Sequence, residues 1–289
     1  MPQKHFVTTP AGVGLPAMIY GTAWKQEKTS DLVRLAIETG FRAVDTACQP
    51  RHYREELVGE GIEAAISSLG LAREELYIQT KYTPVDGQDP QTVPYDPGLP
   101  LDKQVLASCE VSLKNLRSGY LDALILHSPV VPFAALIQVW RAMESLVEEG
   151  KVRQIGISNL YDLPWHQKLY EEARIKPAVI QNRFYRDTHY DKTIRAWARE
   201  RGIVYQSFWS LTANPMILDS KTVRRIAEVH AKTPAQIFYA FLNSQGIVPL
   251  SGTTSLQHMQ DDLAVSEIAL DDEEAAAIAA LFEPLKKES

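Results

Sequence analysis

The chain has 289 residues, room for one large α/β barrel or two ordinary domains, and its 45% apolar and 23% charged residues are those of a globular protein. A net charge of −6 argues against a nucleic-acid-binding surface, and no run approaches the ~20 apolar residues of a membrane span. Two cysteines, Cys48 and Cys109, make neither a disulfide framework nor metal-ligand spacing, and the opening MPQKHFVTTPAG lacks the apolar core of a secretory signal, so the expected compartment is the cytoplasm.

In chain order the pattern is strand then helix, repeated. Leu15–Gly21 reads as a first strand, and Thr29-Ser30-Asp31 as the cap of a helix carrying Leu32, Ala36 and Ile37. Arg42–Val44 is a short apolar run that ends on Asp45, followed by a helix over Glu55–Leu69 and a third strand over Leu76–Tyr82. Thr83–Pro100 is proline-rich and excludes regular structure. Beyond it come a helix at Leu101–Leu116, a strand at Ala123–Ser128, and a helix at Phe133–Glu149 stopped by Gly150. Strands at Val152–Ser158, Ala178–Phe184, Ile203–Phe208 and Ile247–Leu250 complete the set, with helical patterns between and after them.

Eight strands, each returning through a helix, imply an all-parallel sheet. Eight such units in one chain of this length predict a closed (β/α)8 TIM barrel forming a single domain over residues 1–289. The competing doubly wound sheet would carry a Gly-x-Gly-x-x-Gly loop after its first strand, and the sequence has none there. Three strands end on one ionisable side chain each: Asp45, Lys81 and His127. Barrel chemistry sits at such strand ends, although a lone strand-end charge is more often a solvated rim residue.

The segments GFRAVDTA, YLDALILHSP and GKVRQIGISN closely resemble the aldo-keto reductase superfamily, over about Gly21 to Leu263. The resemblance implies reduction of an aldehyde or ketone by hydride transfer from a nicotinamide cofactor, with a small carbonyl or alcohol compound as substrate. Tyr53 is then the proton donor, and Asp45, Lys81 and His127 are its supports. A tyrosine is a poor acid at neutral pH, and a neighbouring Lys81 held by Asp45 would lower its pKa. The spacing departs from the family pattern DTAxxYxNE: Tyr53 lies eight residues after Asp45, and counting back from Val58-Gly59 puts His52 in the tyrosine's place. Tyr53 is still the expected acid, with His52 as a pocket residue or second acid.

By the same resemblance the cofactor contacts are Gly21 and Thr22, Ser158-Asn159 and Gln181, and Trp209 stacked on the nicotinamide. Ser210 and Leu211 would lie against the pyrophosphate. Leu250–Leu263 looks like the adenosine-phosphate loop and helix, giving Gly252, Thr253, Thr254, His258, Asp261 and Asp262. Members that prefer NADPH often carry a Lys and an Arg where this chain has Leu250 and His258; NADP(H) is favoured on family grounds and NAD(H) stays possible. Trp24, His52 and Tyr82 are the expected substrate-pocket residues, and the proline-rich loop is a candidate lid or wall. The tail EPLKKES is too short and polar to wall in a pocket. Two other functions compete: a cofactor-binding regulatory subunit with little or no turnover, which the shifted Tyr53 loop favours, and a non-redox barrel enzyme. No exposed apolar helix face indicates an oligomeric state.

Overall fold

The computed structural model describes residues 5–282; the polar tail lies outside the described residues. A short antiparallel hairpin comes first, β1 (His5–Thr8) and β2 (Gly14–Pro16). The barrel follows as β3 (Ile19–Gly21), α1 (Thr29–Thr39), β4 (Ala43–Asp45), α2 (Glu55–Leu69), β5 (Tyr77–Tyr82), α3 (Leu101–Asn115), β6 (Ala123–Leu126) and α4 (Phe133–Glu148). It continues with β7 (Ile155–Ser158), α5 (Leu163–Glu172), β8 (Val179–Arg183), α6 (Lys192–Arg199), β9 (Val204–Phe208), a one-turn α7 (Pro215–Leu218), α8 (Lys221–His230) and α9 (Pro234–Ser244). The last elements are β10 (Ile247–Ser251), α10 (Leu256–Leu263) and α11 (Asp272–Ala279). The eight strands β3 to β10 are all parallel and close in the order β10-β3-β4-β5-β6-β7-β8-β9. The molecule is a single (β/α)8 barrel.

Three local expectations are corrected. The segment expected as one first strand is split, because Leu15 pairs with Val7 in the hairpin and only Ile19–Gly21 enters the barrel. Thr29 does not cap α1: the cap position is Lys28, and the Thr29 hydroxyl donates back to the Gln26 carbonyl at 2.6 Å. The sixth barrel helix, expected over about Tyr190–Arg201, spans only Lys192–Arg199, because His189, Tyr190 and Asp191 all take left-handed φ near 50°. Asp191 is buried there and accepts from Asn182 Nδ2 at 2.7 Å and the Tyr205 hydroxyl at 2.9 Å, which pins the turn.

The hydrophobic core has two parts. Between strands and helices lies the larger one, including Ile37, Val58, Leu124, Trp140 and Phe238. Inside the barrel, Val13 and Leu15 of the hairpin region pack with Ile19, Ala43, Ile125, Val179, Val204 and Val248 and close the N-terminal end of the strands. Above that plug the interior turns polar. Thr9 donates to Gln154, Gln154 to the Tyr77 hydroxyl, Tyr77 to Gln79, and Gln79 to Asp45, a hydrogen-bonded chain running up the barrel axis. Buried amides are tolerable only when paired, and here they deliver donors to a carboxylate at the open end.

Helix α2 fixes the loop that precedes it. A Cβ on Gly59 would lie 2.0 Å from the Asn115 carbonyl oxygen, and one on Gly61 would lie 2.5 Å from that of Ser30. Both glycines let α2 sit directly on its neighbours. At its first residue, Glu55 is buried and accepts from Thr80 Oγ1 and from Asn115 Nδ2, so the chain just after Tyr53 is anchored to β5 and α3. No helix among the described residues is long and apolar enough to cross a membrane.

Candidate active site

At the C-terminal ends of the strands lies a cleft of about 970 Å³. Asp45 ends β4 and Lys81 is the penultimate residue of β5, the neighbouring strand. Alternation along β5 turns Gln79 and Lys81 into the barrel and Tyr82 away from it. Lys81 Nζ donates to Asp45 Oδ2 at 2.6 Å and to the Thr46 carbonyl at 2.8 Å, with both side chains almost wholly buried. The other carboxylate oxygen, Oδ1, accepts from Gln79 Nε2 at 2.6 Å and Gln181 Nε2 at 3.0 Å. The pair is thus hydrogen-bonded on every side that the barrel supplies.

Tyr53 stands over this pair. Its ring centre is 5.3 Å from Lys81 Nζ and 6.0 Å from the His127 ring. His127 continues from β6, and its Nδ1 shares a 2.7 Å hydrogen bond with the Thr83 hydroxyl. Burial, then the nearby Lys81 charge, hold the His127 imidazole well below its usual pKa, so it is neutral. Lys81 itself is lowered by burial, against the opposing pull of Asp45. Tyr53 is raised, by burial first and the Asp45 charge second. The expectation that Lys81 lowers the tyrosine's pKa is therefore not met in the free protein: burial and the Asp45 charge both raise it, and Tyr53 keeps its proton.

His52 lines the same cleft but turns to other partners. Its ring packs on Trp24 at 4.0 Å between centres, and its Nδ1 is 2.8 Å from Gln49 Oε1. Of the two side chains competing for the acid's position, Tyr53 is the one whose ring stands over Lys81.

Most of the expected cofactor contacts line the same cleft: Gly21, Ser158, Asn159, Gln181, Trp209, Ser210, Leu211, Gly252, Thr253, Thr254, His258, Asp261 and Asp262. Asn159 Nδ2 donates to the His127 carbonyl at 2.8 Å, and Ser158 Oγ donates to the Gln181 carbonyl at 2.6 Å. Trp24, Asn159 and Trp209 all have left-handed φ, at 64°, 55° and 56°. Such conformations cost of order 1 kcal/mol or more each in non-glycine residues and cluster at functional sites. They leave the indoles of Trp24 and Trp209 60% and 50% exposed at the cleft mouth.

Two expected residues are not on the cleft. Thr22 is buried, with its hydroxyl donating to the Asp45 carbonyl at 2.9 Å. Tyr82 faces the helical layer, bonded to Gln104 at 3.2 Å and packed on Tyr95, because it alternates with inward-facing Lys81. The proline-rich loop is a wall rather than a free lid. Tyr95 donates to the Thr83 carbonyl at 2.6 Å, Gln88 to the Cys48 carbonyl at 2.9 Å, and Gln49 to the Gly87 carbonyl at 2.6 Å.

The sequence reading passed over several residues that the structure brings to the site. Gln79 was detectable, since it shares the inward register of Lys81. Thr83, Glu55 and Gln206, whose Oε1 accepts from the Gln79 and Gln181 amides, act through contacts between distant segments and carry no local signal. Lys25 is buried with its Nζ donating to the Gly252 carbonyl at 2.7 Å, and burial lowers its pKa to about 8. At the same end, Asp262 is buried and accepts from Ser251 Oγ at 2.5 Å; burial raises its pKa to about 6.

A model of the Aldo/keto reductase family matches residues 13–283, nearly the whole chain. The chain belongs to the aldo/keto reductase family. Among curated members, an oxidoreductase of Bacillus subtilis is 30% identical over 278 residues, covering 95% of this chain and 92% of that one. The glyoxal reductase of Bacillus subtilis is 31% identical (88% and 83% covered), and the NAD(P)H-dependent D-xylose reductase of Pachysolen tannophilus is 29% identical (98% and 95% covered). Among solved structures, the aldose reductase of Schistosoma japonicum superposes with a TM-score of 0.80 at 26% identity, covering 96% and 92% of the two chains. An aldo-keto reductase of Bombyx mori, solved with NADP, gives a TM-score of 0.83 at 23% identity, with 100% and 96% covered, and shares the fold. These aldo/keto reductases are oxidoreductases, and general carbonyl reduction is the activity that goes with this chain.

Proposed function

We propose that this chain reduces an aldehyde or ketone to the alcohol, with Tyr53 as proton donor and NADP(H) as cofactor. The observation that carries the reading is the position of Tyr53 over the buried Asp45–Lys81 pair and beside neutral His127. When bound, the nicotinamide cofactor supplies the hydride that no side chain can provide.

The residues of the cleft fit such a cofactor. Ser158, Asn159 and Gln181 provide hydroxyl and amide groups for a carboxamide, and the exposed Trp209 ring offers a stacking face. Lys25 is a buried amine whose hydrogen-bond acceptor is a neutral carbonyl, which suits a phosphate oxygen, and the Gly252–Ser255 turn feeds the N-terminus of α10. The 2′-phosphate of NADP would meet Thr253, Thr254 and His258, with Leu250 in place of a cation. NADP(H) is favoured by the names of relatives, and NAD(H) is accommodated by the same groups.

The chain's own chemistry is proton transfer. As charge grows on the carbonyl oxygen, the Tyr53 hydroxyl donates to it, and His127 orients that oxygen. Lys81 stabilises the tyrosinate left behind, and Asp45 keeps Lys81 charged and in place. The high pKa of Tyr53 in the free protein keeps the proton available until charge develops.

Titrating NADPH, and separately NADH, into the purified protein while following tryptophan fluorescence tests the cofactor half of this reading. Saturable quenching from Trp209 is expected; no quenching together with no heat by calorimetry would overturn it. Turnover of a neutral aldehyde such as butanal tests the chemical half. Cofactor binding without turnover across a broad carbonyl panel would instead favour a regulatory subunit.

A further inference from the structure

One cation in the cleft plays no part in the chemistry above. Arg183 is the last residue of β8, two positions beyond Gln181, whose amide reaches Asp45. Side chains two apart on a strand share a face, so Arg183 stands on the Gln181 side, about 7 Å further toward the mouth. Its guanidinium lies over two rings, with the carbon centre 4.1 Å from the Trp209 ring centre and 5.2 Å from that of Tyr185. Tyr161 completes the frame: its ring is 6.2 Å from that of Tyr185, and its hydroxyl accepts from the Arg183 backbone N–H at 3.2 Å.

The guanidinium has no acid. Among the described residues it makes no ion pair and no hydrogen bond, and its Nε is enclosed with no partner. By contrast Arg73, also half-buried, is matched by Asp122 at 2.8 Å. The acids on the cleft wall are Asp45, which is taken by Lys81, and Asp261 and Asp262, which belong to α10 beyond β10. A planar fork of N–H donors, packed against two aromatic rings and left without an acceptor, matches a carboxylate in two parallel hydrogen bonds.

We propose that Arg183 is the receptor for a carboxylate on the substrate, which makes this chain selective for carbonyl compounds that also carry an acid group, such as short oxo acids and semialdehyde acids. The inference rests on the carbonyl-reductase reading. The carboxylate is a spectator in the reaction. Hydride from the reduced nicotinamide adds to the carbonyl carbon, the Tyr53 proton goes to its oxygen, and the tyrosinate is reprotonated from solvent. The distance along β8 sets the scale: the acid group sits a few bonds from the carbonyl that Tyr53 serves. A cofactor phosphate is the other anion in reach of the cleft, but Lys25 and the Gly252–Thr254 turn already provide for it at the ends of β3 and β10.

The test compares kcat/KM for matched pairs, succinic semialdehyde against butanal and 4-carboxybenzaldehyde against benzaldehyde, in the native protein, Arg183→Met and Arg183→Lys. The native protein is expected to prefer the acid of each pair by at least tenfold. Arg183→Met should lower that ratio at least tenfold, chiefly through KM for the acid, and Arg183→Lys should restore part of it. Calorimetry with 4-hydroxybutyrate, the product, gives a readout without turnover: binding should be lost in Arg183→Met. An unchanged ratio with unchanged product binding overturns the proposal. So does a fall in NADPH or NADH affinity with the ratio preserved, which would assign the guanidinium to a cofactor phosphate. Failure of the reductase reading shows separately, as absence of turnover of both members of each pair by the native protein.

Discussion

Lys81 and Asp45, on adjacent strands, form a 2.6 Å ion pair from which water is excluded. Removing one partner of such a pair leaves an uncompensated buried charge, at a cost of roughly 3–5 kcal/mol. Asp45 has two amide donors besides Lys81, from Gln79 and Gln181, so Lys81→Met should fall at the lower end of that range. Asp45→Asn leaves the ammonium with the Thr46 carbonyl and a neutral oxygen. Both variants should lower kcat by roughly 10²–10⁴, the usual worth of a positioned proton-transfer group and its supports. Denaturant melts beside steady-state kinetics separate the two effects: kcat should fall in both, and stability more in Asp45→Asn, whose buried ammonium keeps only neutral acceptors, than in Lys81→Met, whose carboxylate keeps two amide donors.

Tyr53 and His52 divide cleanly by their neighbours, one over Lys81 and the other on Trp24. Tyr53→Phe removes the hydroxyl and keeps the ring, so kcat/KM for carbonyl reduction should fall by roughly 10²–10⁴ with cofactor quenching retained. His52→Gln should change kcat/KM by less than about tenfold, since the imidazole packs on the Trp24 ring and pairs with Gln49 rather than standing over Lys81. A severe loss in His52→Gln with activity kept in Tyr53→Phe would exchange their roles.

The eight strand–helix units were legible because each strand is a short apolar run bounded by helix-periodic segments, and Asp45, Lys81 and His127 were legible because each ends such a run. Helix α2 was legible at roughly its observed span, Glu55 to Leu69, from the acidic segment that opens it. The hairpin was not, since Val7 and Leu15 belong to a pairing that only the closed barrel floor rewards. Tyr82 was misplaced because its role turns on register: one step from Lys81 along the strand moves a side chain from barrel interior to helical layer. The pKa of Tyr53 was misjudged because residue types reveal the cation beside it and not the depth of burial around both. Arg183 and Lys25 gave no signal, since an unmatched cation looks like any surface cation until its surroundings are known.

Gly59 is under a tighter constraint than any helix propensity. A methyl group there would meet the Asn115 carbonyl oxygen at 2.0 Å, against backbone that has nowhere to go. Gly59→Ala should therefore destabilise by about 2 kcal/mol or more, although alanine is the better helix former by about 1 kcal/mol. The displacement of α2 would carry Glu55 off Thr80 and with it the chain that holds Tyr53. Activity at temperatures where the variant is still folded should fall together with its melting temperature; a stabilised Gly59→Ala would mean that α3 yields instead.

Asp262 gives the chain a pH-dependent weakness with a definite sign. Its carboxyl ionises near 3.8 in the unfolded chain and near 6 when buried beside Ser251. Between these values the folded state holds a proton that the unfolded state has lost, so this group's contribution is fully present below pH 4 and is lost as pH rises through 6. At neutral pH the folded protein carries a buried charge, which destabilises it by about 1–3 kcal/mol. Asp262→Asn is neutral at every pH, and its side-chain oxygen can still accept from the Ser251 hydroxyl. The variant should melt higher than the native protein at pH 7, and the gap should shrink steadily as pH falls from 6 to 4. Thermal melts of both proteins across that range check it; a gap independent of pH would show that Asp262 shapes α10 by packing and not by charge.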